Sequence, residues 1–153
     1  MTSPHAAAPA GTGSETRSTD GILQVSVLLY SDDITTRDAV RAAAGRRPAR
    51  DVEITRWLEC ATAFAVNEAL DAGGWDVVVL DGEAAKNGGL GLCREIKNEI
   101  YQCPPVLVLT GRPQDAWLAT WSRAEAAVPH PLDPIQLAEA VIGLLRSRVP
   151  AQA

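Results

Sequence analysis

Residues 75–83 read WDVVVLDGE. Three valines and a leucine run unbroken over positions 77–80, and Asp81 ends the run. A continuous apolar run between polar residues predicts a central parallel strand buried on both faces. Asp81 then stands at the carboxyl end of that strand, the edge at which open α/β sheets place their chemistry. Aspartate also caps helices, but Gly82 and the Gly88-Gly89 pair oppose an immediate helix start.

Outward from that strand, apolar strands alternate with amphipathic helices. Positions 25–30 form a first strand, followed at once by Ser31, Asp32 and Asp33. A helix is expected over about 34–44, with Thr35 or Thr36 near its cap, Ile34 and Val40 on its inner face, and Gly45 at its end. Positions 52–58 read as an edge strand with Arg56 and Glu59 solvated. A second helix over about 62–71 carries Phe64, Val66, Ala69 and Leu70 as its apolar set, and Gly73-Gly74 ends it. Beyond Asp81, a helix is expected from Leu90 to about Ile100, a strand over 106–109, and a helix over 113–124 with Trp117, Leu118 and Trp121 near one face. A short strand follows over 126–128. The last helix is capped by Asp133 and Pro134, with Ile135, Ala138, Val141, Ile142 and Leu145 at helical spacing.

Five strands alternating with five helices predict an α/β fold: a doubly wound five-stranded parallel sheet with helices on both faces. The chain has 153 residues, which predicts one domain. The expected division is a disordered tail over 1–21, rich in Ala, Pro, Gly, Ser and Thr, a domain over 22–149 and a short tail over 150–153. The formal net charge is -5, with 14 basic and 19 acidic residues, which argues against direct nucleic-acid binding. Cys60, Cys93 and Cys103 lack metal-site spacing. Their odd count, with no secretion signal, points to reduced thiols in the cytoplasm. No apolar run reaches membrane-spanning length. The four tryptophans are spread out and are expected in the core or at contacts.

Polar residues follow four of the strands: Asp32, Asp81, Thr110 and His130. In a doubly wound sheet these ends converge on one crevice. Two carboxylates with a free main-chain carbonyl make an oxygen-rich site that suits Mg²⁺. A carboxylate beside such an ion can attack a phosphoryl group.

With these pieces placed, the chain resembles the receiver domain of bacterial two-component response regulators over about residues 24–148. The matching stretches are VSVLLYSDD at 25–33, VVVLDG at 77–82, GLGLCREIK at 89–97, PVLVLTG at 105–111 and HPLDPIQLAEAV at 130–141. The resemblance implies the flavodoxin-like receiver fold with strand order 2-1-3-4-5. It implies that Asp81 accepts phosphate from a sensor histidine kinase or a small phosphodonor. By the same resemblance, Asp32 binds Mg²⁺, Glu83 offers its backbone carbonyl to the ion, and the Thr110 hydroxyl closes on the phosphoryl group. The only activities it implies are self-phosphorylation from a donor and self-dephosphorylation.

The sequence also departs from the family pattern. Ser31 replaces the first acid of the usual pair; it can hold a metal ligand through water but adds no charge. Asp33 is one residue out of register and a poor substitute. His130, before Pro131, replaces the family lysine. Two unit charges ~4 Å apart interact by about 4 kcal/mol at an effective dielectric near 20, and a neutral imidazole forgoes most of that. A protonated His130 would restore the charge, favoured by nearby carboxylates. Ala127 stands where the family carries its switching aromatic residue. Gly111 follows Thr110 in place of the usual small residue, and the 83–89 loop, EAAKNGG, carries Lys86, expected in solvent.

Two readings therefore compete: a stand-alone phosphate-accepting receiver that signals through an output protein partner, and an atypical receiver that binds a protein without phosphorylation. A flavin- or nucleotide-binding protein of flavodoxin-like fold is a third, opposed by the acidic SDDITT loop and the missing glycine-rich pattern. The chain ends at the last helix, so output is expected through a partner or a homodimer rather than through DNA, with no membrane contact.

Overall fold

The structure is a computed structural model, and it describes residues 21–84 and 88–148. The expected tails and Lys86 lie outside the described residues, apart from Gly21. The elements alternate as β1 (Leu23–Tyr30), α1 (Ile34–Ala44), β2 (Val52–Cys60), α2 (Ala63–Ala72), β3 (Val77–Asp81), α3 (Gly89–Glu99), β4 (Val106–Thr110), α4 (Ala116–Ser122), β5 (Ala126–Pro129) and α5 (Pro134–Arg148). The strands form one parallel sheet in the order β2-β1-β3-β4-β5. This is the flavodoxin-like receiver fold that the sequence implied.

The unbroken run of β3 is explained by its two neighbours and its two faces. Side chains alternate across a strand. Val77 and Val79 pack on one face with Val27, Leu29, Val40, Leu137 and Val141. Val78 and Leu80 pack on the other with Leu28, Val66, Leu70, Leu92 and Ile96. Both faces are dry, so no position in β3 can be polar until the strand leaves the core at Asp81. Burial of each Val or Leu side chain stabilises the fold by about 1.5–3 kcal/mol.

Several local expectations change. The cap of α1 is Asp33 rather than Thr35 or Thr36: its carboxylate accepts the Thr35 N–H at 2.9 Å. The helix expected over 113–124 is shorter, because a 3-10 turn at Pro113–Asp115 precedes α4. Ile34, Phe64 and Ile135 are exposed rather than packed. All three lie in the first turn of a helix, beyond the reach of the opposing layer. Trp117 and Trp121 both lie on the surface, with Trp121 under the Arg94 guanidinium at 4.9 Å. Glu59 is only partly exposed, and it is salt-bridged to Arg37 and Arg41. Arg56 is exposed, as expected, and its guanidinium stacks on Trp75 at 4.0 Å.

Candidate functional site

Parallel strands all point their carboxyl ends to one edge of the sheet. That edge gathers Ser31 after β1, Asp81 at the end of β3, Thr110 at the end of β4 and His130 after β5. Asp81 is only 3% exposed, and Ser31 and Thr110 are buried with it.

A buried carboxylate needs partners for its oxygens. The Ser31 hydroxyl donates to Asp81 Oδ2 at 2.7 Å. The Glu83 N–H donates to Oδ1 at 2.9 Å, folding the chain into a turn directly after β3. His130 Nε2 lies 3.3 Å from the same Oδ1. Ser31 is itself fixed: its hydroxyl accepts the Asp33 N–H at 3.0 Å, and its own N–H donates to the Cys60 carbonyl at 3.2 Å.

On the β5 side the links run mainly through the backbone. The His130 N–H donates to the Thr110 carbonyl at 2.8 Å. The Thr110 hydroxyl donates to no described residue, although it is buried. Ala127 is half-buried on β5, paired with Val108 of β4. Its methyl side chain offers no ring to swing.

Two glycines shape the loops. A Cβ on Gly89 would lie 2.6 Å from the Asp81 carbonyl oxygen, so the start of α3 can sit against the end of β3 only with glycine there. A Cβ on Gly111 would lie 2.7 Å from Glu83 Oε2. The loop after Thr110 therefore leaves room for the Glu83 carboxylate to lean across it.

The structure thus brings Ser31, Asp81, Glu83 and His130 into direct contact and ties Thr110 to His130. Asp32 lies on the exposed turn next to Ser31. Asp33 faces the start of α1. Among the described residues, no group of three or more His, Cys, Asp or Glu is placed to hold a metal ion. Two carboxylates stand at this edge, the buried Asp81 and the exposed Asp32. That set fits an ion such as Mg²⁺, which keeps several waters and needs few protein ligands.

Sequence reasoning missed Arg37 and Glu59. Arg37 Nε donates to Glu59 Oε1 at 3.0 Å, and its Nη1 donates to the Ser31 carbonyl at 2.7 Å. Arg41 Nη1 holds Glu59 Oε2 at 2.9 Å. The bond from Arg41, then that from Arg37, holds the Glu59 carboxyl below its usual value against the opposing effect of burial. An arginine pair four residues apart on one face of α1, opposite a strand that carries a glutamate, was the available signal.

No family model matches the chain. Two uncharacterized response regulatory proteins from two strains of Mycobacterium tuberculosis are each 49% identical to it over 128 residues, covering 84% of this chain and 96% of theirs. Among solved structures, a LuxR-family two-component response regulator from Aurantimonas aligns with a TM-score of 0.67 at 24% identity, covering 82% of this chain and 87% of that one. The receiver domain of a Francisella response regulator aligns with a TM-score of 0.67 at 14% identity, covering 80% and 98%. The receiver domain of NtrX from Brucella abortus aligns with a TM-score of 0.65 at 20% identity, covering 79% and 98%. These structures share the fold, and the mycobacterial relatives supply the kinship: the chain belongs to the two-component response regulators, and its five-stranded domain is a receiver domain.

Proposed function

We propose that this receiver domain accepts a phosphoryl group on Asp81 and passes the signal to a protein partner. The observation that carries this reading is the Asp81 carboxylate itself, buried at the carboxyl edge of the central strand with Ser31, Glu83 and His130 around its oxygens. An Asp81 oxygen attacks phosphorus. An O–P bond forms, and the bond from phosphorus to the donor's leaving group breaks, the leaving group taking the electron pair. Water later cleaves the acyl phosphate and restores the carboxylate. Asp32, Asp81 and the Glu83 carbonyl would hold Mg²⁺, with Ser31 contributing through water. When bound, the ion would neutralise charge on the transferring oxygens. The Thr110 hydroxyl, which donates to no described residue, would donate to one phosphoryl oxygen, and His130 would donate to another in place of lysine.

The donor would be a sensor histidine kinase or a small acyl phosphate. Exposed Ile34 and Ile135, on the first turns of α1 and α5, lie at the same edge as Asp81 and would give a docking kinase apolar contacts. Among the described residues no helix is long and apolar enough to cross a membrane. The acidic charge supports a role without direct nucleic-acid contact. Partner binding or a homodimer through α4 would carry the output.

The test is intact mass after incubation with Mg²⁺ and a small acyl phosphate. Wild type should gain one labile phosphoryl group, and Asp81→Asn should gain none. Equal labelling of both proteins would sink the assignment.

A second reading has its own support. The Ser31 and Glu83 donors satisfy Asp81 without any added ligand, and Ala127 removes the rotating ring. A binding module independent of phosphorylation would look the same. It predicts a partner that binds wild type and Asp81→Asn equally, with or without the phosphodonor.

A further inference from the structure

We infer that Arg37, held by Glu59, is a positioning residue for the cation-binding turn between β1 and α1, an inference that rests on the phosphate-accepting reading above. The Ser31 carbonyl and the Asp32 N–H belong to one peptide plane. Whatever fixes that carbonyl also fixes the direction in which the chain enters Asp32. Arg37 Nη1 fixes it at 2.7 Å. The guanidinium is not free to leave, because its Nε is anchored on Glu59 at 3.0 Å and its side chain is only 15% exposed.

Glu59 is a firm anchor. Its other oxygen is held by Arg41, whose guanidinium lies 5.3 Å from the Trp57 ring centroid. Glu59 pairs with Leu29 in the β1–β2 ladder, so the anchor belongs to the sheet rather than to a loop.

Three constraints then meet on Ser31. Its N–H is tied to Cys60, its carbonyl to Arg37 and its hydroxyl to Asp81. One serine cannot supply the charge of the acid that the family carries there. Rigid placement of the remaining carboxylate is the other route to cation affinity, since partners that orient metal ligands are worth about 10–100-fold in affinity or activity. Arg37 touches neither the phosphoryl donor nor the acceptor oxygens, so its effect runs through Ser31 and Asp32.

Two readouts test this. One is the Mg²⁺ concentration for half-maximal Asp81 labelling. The other is Mn²⁺ binding followed by electron paramagnetic resonance without any phosphodonor. Arg37→Met should raise the half-maximal Mg²⁺ concentration and the Mn²⁺ dissociation constant by about tenfold each, with full labelling recovered at saturating Mg²⁺. Arg37→Lys keeps the charge and can reach one of the two acceptors, so it should shift both less. Glu59→Gln should fall between them. Should Arg37→Met fail to fold, the ordering of wild type, Arg37→Lys and Glu59→Gln decides. Values within twofold of wild type for the folded variants would overturn the inference and leave the phosphate-accepting reading intact. Lost labelling that Mg²⁺ does not restore, with Mn²⁺ binding unchanged, would also overturn it. Wild type with neither Asp81 labelling nor Mn²⁺ binding would overturn both.

Discussion

The two sides of Asp81 are built differently. On the β1 side, Ser31 approaches at 2.7 Å and is locked by Cys60, Arg37 and Asp33. On the β5 side, His130 stands off at 3.3 Å, the Thr110 hydroxyl donates to no described residue, and position 127 carries only the methyl group of alanine. The closed side holds the Asp81 carboxylate in place. The other side leaves Asp81 with one longer contact and, in Thr110, a buried hydroxyl that donates to no described residue. The β1 side departs from the family pattern at Ser31, and the β5 side at Ala127 and His130.

The sharpest way to break this contrast is to truncate each side. Ser31→Ala should cost about 2 kcal/mol, because it removes a buried hydrogen bond to a carboxylate. His130→Ala should cost less than about 1 kcal/mol, because the bond it removes is long and partly exposed. Urea unfolding measures both, and the reverse order would mean that the histidine, not the serine, holds Asp81.

Next in size is a gain on the β5 side. His130→Lys should speed Asp81 labelling about tenfold, a difference of about 1.4 kcal/mol. An unchanged rate would mean that the imidazole already supplies what lysine would, or that charge there does not limit the step.

A smaller effect concerns the anchor of the closed side. The folded-state carboxyl of Glu59 titrates below its usual value of 4.5. Its contribution is therefore present above pH 4.5 and is lost as pH falls through the lower, folded value. Wild type should lose less than about 1 kcal/mol more than Glu59→Gln over that acid range. Parallel acid profiles would show that the Arg37–Glu59–Arg41 cluster adds nothing to stability.

The smallest effect is a change in thiol accessibility. Cys60 closes the β2 end of the same side, and burial pushes its thiol up. Burial likewise pushes Cys93 up to about 11. In native protein at neutral pH, Cys103 should react first with an aromatic disulfide, and Cys60 and Cys93 only on unfolding. Rapid reaction of Cys60 would mean that the closed side opens.

The sheet was readable because strands buried on both faces leave unbroken apolar runs such as 77–80 and 106–109. The strand-end groups Asp81 and Thr110 were readable because each directly follows such a run, and His130 because it follows the short strand 126–128 after Pro129. The contacts of Glu59 were harder to see, since a glutamate on an edge strand ordinarily faces water and its partner Arg37 lies 22 residues away. Ile34, Phe64 and Ile135 fit the helical period yet escape the core, because periodicity gives the face of a helix but not how far the opposing layer extends along it. Asp33 was legible as a carboxylate, but only the turn geometry shows that it caps α1.

The most direct test of the account is the backbone amide spectrum of ¹⁵N-labelled protein titrated with Mg²⁺ and beryllium fluoride, a phosphoryl mimic. A phosphate-accepting Asp81 predicts saturable shifts at Ser31, Asp32, Glu83, Thr110, Gly111 and His130 together, lost in Asp81→Asn. No shift in wild type, or the same shifts in Asp81→Asn, would contradict it.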